Sequence, residues 1–110
     1  YGTNFLNTTK EAIEFVRKVD SKGIKINVDF GTIVENKETL EIIQNNIDLI
    51  NHIHISEPNL EVVKKRSEHK ELANILRNFE YQNYISIEMK NTGNLNDIKT
   101  IIEYVVTIFG

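Results

Sequence analysis

The sequence predicts an α/β fold whose parallel strands belong to a closed (β/α)8 barrel. Three segments that alternate apolar and polar residues are separated by segments of helical periodicity, in the order αβαβαβα. The connections are too long for hairpins, so we expect parallel strands with right-handed crossovers. Parallel strands of an open sheet usually read as continuous apolar runs, whereas each of these strands has a polar face. A barrel accommodates that face, because helices cover its outside and its mouth gathers polar side chains.

The first helix and the first strand are separated by a glycine. Thr8 and Glu11 are spaced as a capping box, and the apolar pattern that follows ends at Gly23. Residues 24–30 alternate without interruption and predict a strand. Gly31 is then expected to form a turn, and a polar loop leads to Asn36.

The remaining elements follow the same logic. Apolar residues at helical spacing predict helices over residues 37–50, 71–79 and 95–109. Residues 52–56, inside the stretch Asn-His-Ile-His-Ile-Ser-Glu at 51–57, and residues 84–90 alternate and predict the second and third strands. The charged run at 61–66 is expected to be a solvated short helix or loop.

Length and composition limit the classes of protein. At 110 residues the chain is one domain or part of one, with 40% hydrophobic and 26% charged residues. The net charge of −3, with acidic and basic residues interleaved, disfavours a nucleic-acid partner. The sequence contains no apolar run long enough to predict a membrane span. It also has no cysteine, which excludes disulfides and thiolate chemistry and fits the reducing cytoplasm, where we expect the protein.

Each predicted strand carries an ionisable residue late on its polar face: Asp29, His54 and Glu88. At a barrel mouth these side chains would converge, and such oxygen and nitrogen ligands bind Mn²⁺, Mg²⁺, Co²⁺ or Zn²⁺. Singly, each has a simpler interpretation: Asp29 caps the turn at Gly31, His54 is a structural histidine, and Glu88 is a solvated carboxylate. Their common register on consecutive strands favours the metal site.

Four segments carry a family resemblance. They are Tyr-Gly-Thr-Asn-Phe-Leu-Asn-Thr at 1–8, Val-Asp-Phe-Gly at 28–31, His-Ile-His-Ile-Ser-Glu at 52–57 and Tyr-x-x-Tyr-Ile-Ser-Ile-Glu-Met at 81–89. Together they resemble the xylose isomerase-like TIM-barrel superfamily, and most closely its sugar phosphate isomerase/epimerase branch, which includes ketose 3-epimerases. The resemblance implies one partial TIM-barrel domain over residues 1–110, about strands six to eight, with about three parallel strands and four helices. The N-terminal half of the barrel would precede Tyr1.

The resemblance also implies roles for single residues. Asp29, His54 and Glu88 match the family's metal ligands on strands six, seven and eight, and Glu88 also matches one of the epimerases' two acid/base carboxylates. The other carboxylate comes from strand five, which would lie ahead of Tyr1. Glu57 matches an acidic position that helps bind substrate. Lys90, on the face of Glu88, is either a contact for a substrate phosphate or carboxylate or a solvated lysine.

Two substrate-contacting positions depart from the epimerases. Thr32 stands where they have a histidine, and Leu60 stands where they have an arginine, so the resemblance does not assign the sugar. The Asp-x-Asp ligands of true xylose isomerases are also missing.

The function implied by the resemblance is that of a divalent-metal-dependent isomerase or epimerase of sugars or sugar phosphates, acting by proton transfer through an enediolate. Without the strand-five carboxylate, we expect the 110-residue chain to be inactive or nearly so by itself. A non-catalytic half-barrel that self-associates into a homo-oligomer through an open sheet edge stays open. An endonuclease IV-like DNA repair enzyme is less favoured, because this acidic chain has only three histidines and no basic groove.

Overall fold

The computed structural model describes residues 8–19 and 23–110. These residues form eight elements: α1 (Thr9–Val19), β1 (Ile26–Asp29), α2 (Phe30–Glu35), α3 (Glu41–Gln44), β2 (Ile50–Ile55), α4 (Ser67–Asn78), β3 (Tyr84–Ile87) and α5 (Leu95–Phe109). Short 3-10 helices lie at Ile47–Leu49 and Pro58–Leu60. The first segment of the resemblance, apart from Thr8, lies outside the described residues.

The three strands form one parallel sheet in the order β1-β2-β3, which confirms the predicted α/β fold class. Alternation places Val28, Ile53 and Ile55 on the face that the helices cover, and these side chains are buried. Side chains of α1, α2, α4 and α5 complete the same core: Ile13, Val16, Phe30, Ile33, Leu72, Leu76, Ile101 and Val105. The opposite face of the sheet carries the polar residues that alternate with these apolar ones.

The predicted helix over residues 37–50 is wrong as a single element. Lys37 has a φ of 52°, which is left-handed backbone in which a helix cannot begin. Asn46 has a φ of −131°, and its side-chain amide donates to the Ile42 carbonyl at 2.8 Å. Asparagine competes in this way with helical hydrogen bonds. Only α3 and a 3-10 turn remain of the predicted helix.

A helix that the sequence analysis did not predict begins directly after β1. The residues interpreted as a turn at Gly31 and a polar loop form α2, so the described chain has five α-helices, not four. Phe30 and Ile33 on α2 are almost fully buried in the core. Tertiary packing stabilises this short helix, which would not form in isolation.

The other element boundaries differ by a few residues. The first and third strands end before residues 30 and 90, and α4 begins at Ser67, ahead of the predicted residue 71. The last helix has the predicted bounds, and the Glu11 amide donates to the Thr8 hydroxyl at 3.0 Å, as the capping signal indicated. None of the helices in residues 8–19 and 23–110 is long and apolar enough to span a membrane.

Candidate metal centre

The three predicted metal ligands lie together at the carboxyl end of the sheet. Asp29 is the last residue of β1, and its register partner is His54 on β2. Glu88 directly follows β3, and its amide continues the ladder by donating to the Ile55 carbonyl at 3.1 Å. Because the strands are parallel, all three side chains leave the sheet at one mouth and on one face.

The ligand atoms converge on one point. His54 Nδ1 lies 3.2 Å from Asp29 Oδ1 and forms a short contact with Glu88 Oε2. One ligand atom from each residue lies within 4.8 Å of the other two. Atoms that bind one divalent ion at about 2.1 Å lie about 3 Å apart, so the spacing is close to that of a ligand set.

The donor chemistry also fits a cation. A bare nitrogen lone pair that faces two carboxylate oxygens is repelled by both, so the arrangement needs a proton or a cation between the three groups. One imidazole nitrogen and two carboxylates suit Mn²⁺, Mg²⁺, Co²⁺ or Zn²⁺. The side chains of Asp29 and Glu88 are 43% and 44% exposed, so the site is open to solvent.

The pKa of Asp29 also favours a cation at this site. Burial raises the pKa of this carboxyl above its ordinary value, and the charge of Glu88 raises it further, while His54 opposes both. An anion that is disfavoured by burial and by a like charge is stabilised by a cation placed between the two carboxylates.

Asp29 does not act as a helix cap in this structure. It occupies the N-cap position of α2, yet its side chain makes no capping hydrogen bond. The Gly31 amide, which such a carboxylate often binds, donates to Ser56 Oγ at 3.0 Å. The capping interpretation of Asp29 is therefore wrong. The sequence did not predict the contact between Ser56 and Gly31, because these residues are 25 positions apart and belong to different parts of the fold.

A second histidine lies beside His54 on the same strand face. The ring centroids of His52 and His54 are 4.5 Å apart in an edge-on arrangement. His52 Nε2 lies 2.8 Å from the hydroxyl of Ser86, the register partner of His54. Ser86 thus bonds the His52 ring, and neither residue belongs to the proposed ligand set.

Glu57 is buried, with 1% of its side chain exposed, and lies against an arginine. Arg66 Nε donates to Glu57 Oε1 and Oε2 at 3.1 and 2.9 Å, and the Lys64 amide donates to Oε2 at 3.3 Å. The hydrogen bonds with Glu57 raise the pKa of Arg66 above its ordinary value. The expectation that residues 61–66 are a solvated run is wrong for Arg66. The substrate contact of Glu57 stays a prediction.

Lys90 lies at the surface beside the mouth. Its side chain is 61% exposed, and Nζ is 3.5 Å from Glu61 Oε1. The Lys90 amide donates to the Leu60 carbonyl at 2.7 Å, which joins the loops that follow β2 and β3. A contact between Lys90 and a substrate anion also stays a prediction.

Comparison with solved structures shows the fold of sugar epimerases. A 3-keto-D-glucoside 4-epimerase from E. coli, in its apo form, is similar with a TM-score of 0.82 and 22% identity, over 97% of this chain and 42% of that chain. A D-psicose 3-epimerase from Clostridium cellulolyticum H10, crystallised with D-tagatose, is similar with a TM-score of 0.78 and 16% identity, over 97% and 45%. A D-psicose 3-epimerase in the presence of D-fructose gives a TM-score of 0.74 and 20% identity, over 98% and 46%.

The protein spans less than half the length of each of these three chains, which confirms the prediction of a partial barrel. No functionally curated protein matches the sequence. The family described as xylose isomerase-like TIM barrel matches residues 1–106. Because this match covers nearly the whole sequence, the chain belongs to the xylose isomerase-like TIM-barrel family.

Proposed function

We propose that this chain is the metal-binding C-terminal part of a divalent-metal-dependent isomerase or epimerase that acts on ketoses or related sugars and their phosphates. The observation that carries the proposal is the convergence of Asp29, His54 and Glu88 at the mouth of a parallel sheet. The family match and the sugar epimerases among the similar structures support it.

Asp29, His54 and Glu88 would hold Mn²⁺, Mg²⁺, Co²⁺ or Zn²⁺. When bound, the cation supplies Lewis-acid polarisation of a substrate carbonyl. Glu88 is a half-exposed carboxylate at the open mouth. It takes the proton from the carbon beside the carbonyl, and the electrons of that C–H bond pass into the enediolate. Glu88 returns a proton to the same face, whereas inversion needs a second acid on the opposite face.

Metal content tests the ligand set. We expect the wild-type protein, loaded with Mn²⁺ and desalted, to retain about one equivalent, and His54→Ala to retain none. His52→Ala is the matched control, because it removes an imidazole from the same strand face but not from the ligand set. Equal retention in both variants, or no retention in the wild type, would contradict the proposed site.

Hydrogen exchange into substrate tests the role of Glu88. In D2O, the Mn²⁺-loaded protein should slowly introduce deuterium at the carbon beside the carbonyl of D-fructose or D-tagatose without forming the epimer. Glu88→Gln should abolish exchange, with metal content measured in parallel. Conversion to the epimer at rates typical of enzymes would contradict the assignment of a single carboxylate to this chain.

A second candidate function is a self-associating half-barrel. The β3 edge and α5 line an apolar groove that includes Ile87, Met89, Ile98 and Ile102, and Val106 on the same helix is 61% exposed. Within the described sheet, β1 and β3 are both edge strands. A second copy can pair its β1 with this β3, and twofold closure would join both pairs of edges.

Light scattering distinguishes the two candidates. A defined dimer without bound metal, converted to monomer by Val106→Glu but not by the neighbouring Thr107→Glu, would favour self-association. A monomer that binds one Mn²⁺ would exclude it.

A further inference from the structure

We propose that Ser56 is a positioning residue of the candidate metal centre. It caps α2 in place of Asp29, and the Asp29 carboxylate thereby stays available to the cation. The inference rests on the proposed function, because it concerns how one of the proposed ligands is held.

The backbone of Asp29 is that of an N-cap residue, but its side chain behaves differently. The first amides of a helix have no acceptor within the helix, and an aspartate at the N-cap usually accepts from the second or third of them. Asp29 has the extended backbone of such a residue, with φ −94° and ψ 118°, yet it makes no capping bond. Its Oδ1 lies 3.2 Å from His54 Nδ1.

Ser56 accepts the bond that Asp29 does not. The buried amide of Gly31, the second residue of α2, donates to Ser56 Oγ at 3.0 Å. Ser56 is fully buried, so no solvent replaces this acceptor. The hydroxyl lies 3.4 Å from the His54 carbonyl, to which it donates. One side chain thus joins the backbone beside one proposed ligand to the backbone of another.

Without the Ser56 hydroxyl, capping of α2 and binding of the cation would compete for the Asp29 carboxylate. Without Ser56 Oγ, the buried Gly31 amide has no acceptor, and an unsatisfied buried donor is costly. Asp29 lies two residues away at the N-cap position and can accept that amide after a rotation of its side chain. A carboxylate turned toward α2 no longer faces His54 Nδ1. Changes to residues that orient metal ligands typically weaken binding by about 10- to 100-fold.

Calorimetric titration with Mn²⁺ measures the predicted effect. We expect Ser56→Ala to bind about 10- to 100-fold more weakly than the wild type. Ser86→Ala is the matched control, since that serine is on the neighbouring strand and its hydroxyl bonds His52, not α2. Its Mn²⁺ affinity should stay within about 3-fold of the wild type, a much smaller loss than that expected for Ser56→Ala. Ser56→Cys keeps the size but weakens the acceptor, so it gives a milder loss if Ser56→Ala does not fold.

Amide exchange in the metal-free protein separates positioning from a general structural role. The Gly31 amide should stay protected in Ser56→Ala, because Asp29 takes over the cap, and should lose protection when Asp29→Ala is added. Wild-type Mn²⁺ affinity in Ser56→Ala, or a Gly31 amide already unprotected in that single variant, would overturn the inference. If even the wild type binds no Mn²⁺, the proposed function fails, while the exchange experiment still tests the transfer of the cap.

Discussion

Acid should destabilise this fold through a histidine that is not one of the proposed metal ligands. His69 on α4 is fully buried, with Nδ1 2.6 Å from the Tyr104 hydroxyl of α5 and the Phe30 ring edge-on at 4.9 Å. Its Nε2 has no hydrogen-bond partner among the described residues. Burial lowers the pKa of His69 below its ordinary value; Arg66 lowers it further, while Glu57 and Glu68 oppose the shift.

The sign of the pH dependence follows from proton binding. Because the folded pKa is lower than the unfolded value of 6.5, the unfolded chain binds more protons in the interval between the two values. Stability is therefore complete above pH 6.5 and falls as the pH drops through this interval. The slope has a limit of about 1.4 kcal/mol per pH unit. From pH 7.5 to 5.5 the wild type should lose at most about 1.4 kcal/mol through His69.

Substitution of His69 by leucine isolates this contribution. Leucine fills a similar volume among the rings, and the Tyr104 hydroxyl keeps the Arg66 amide and carbonyl as partners at 3.2 and 3.4 Å. Urea unfolding at pH 7.5, 6.5 and 5.5 should show a smaller acid loss in His69→Leu than in the wild type. The control His52→Leu removes a histidine from the open sheet face. It should still show the acid loss of stability that His69 causes. Parallel pH profiles for the wild type and His69→Leu would refute the reasoning.

Two further predictions concern polar contacts outside the proposed ligand set. Arg66→Met should lower the free energy of unfolding by about 3–5 kcal/mol, because it removes the charge that pairs with the buried Glu57 carboxylate; Lys64→Met, whose side chain is exposed, should have little effect in the same urea titration. Asn94→Ala should cost about 1 kcal/mol, because the Asn94 side chain caps α5 by accepting the Asn96 amide at 2.9 Å. A thermal melt of Asn94→Ala that matches that of Asn96→Ala would contradict the capping role.

The sequence predicted the elements whose pattern is local. Alternation located all three strands, and the apolar spacing after Asn94 gave α5 its correct bounds. The helix predicted over residues 37–50 failed, because the Asn46 side chain donates to the Ile42 carbonyl, a competing bond that the apolar spacing does not reveal. Helix α2 was missed, because six residues are too few to show a period and its stability comes from burial of Phe30 and Ile33.

The same distinction applies to the candidate site. Asp29, His54 and Glu88 could be brought together from sequence, because equal register on parallel strands fixes the end and the face of the sheet. The contacts of Ser56 with Gly31 could not, because they depend on how β2 packs beside the start of α2. Nothing in the spacing of a sequence encodes such a contact.

The residues at the mouth depart from local rules of stability. At the mouth, Asp29 does not cap the helix that it precedes, and its carboxylate is held close to that of Glu88 around a single imidazole nitrogen. Outside the proposed ligand set, polar groups stabilise the fold in the usual way, as in the cap of α5 by Asn94 and the pairing of Glu57 with Arg66. Departures from local consistency are expected at functional sites. A cation between the carboxylates would remove their repulsion and would give the uncapped aspartate its partner, so one ligand accounts for both departures.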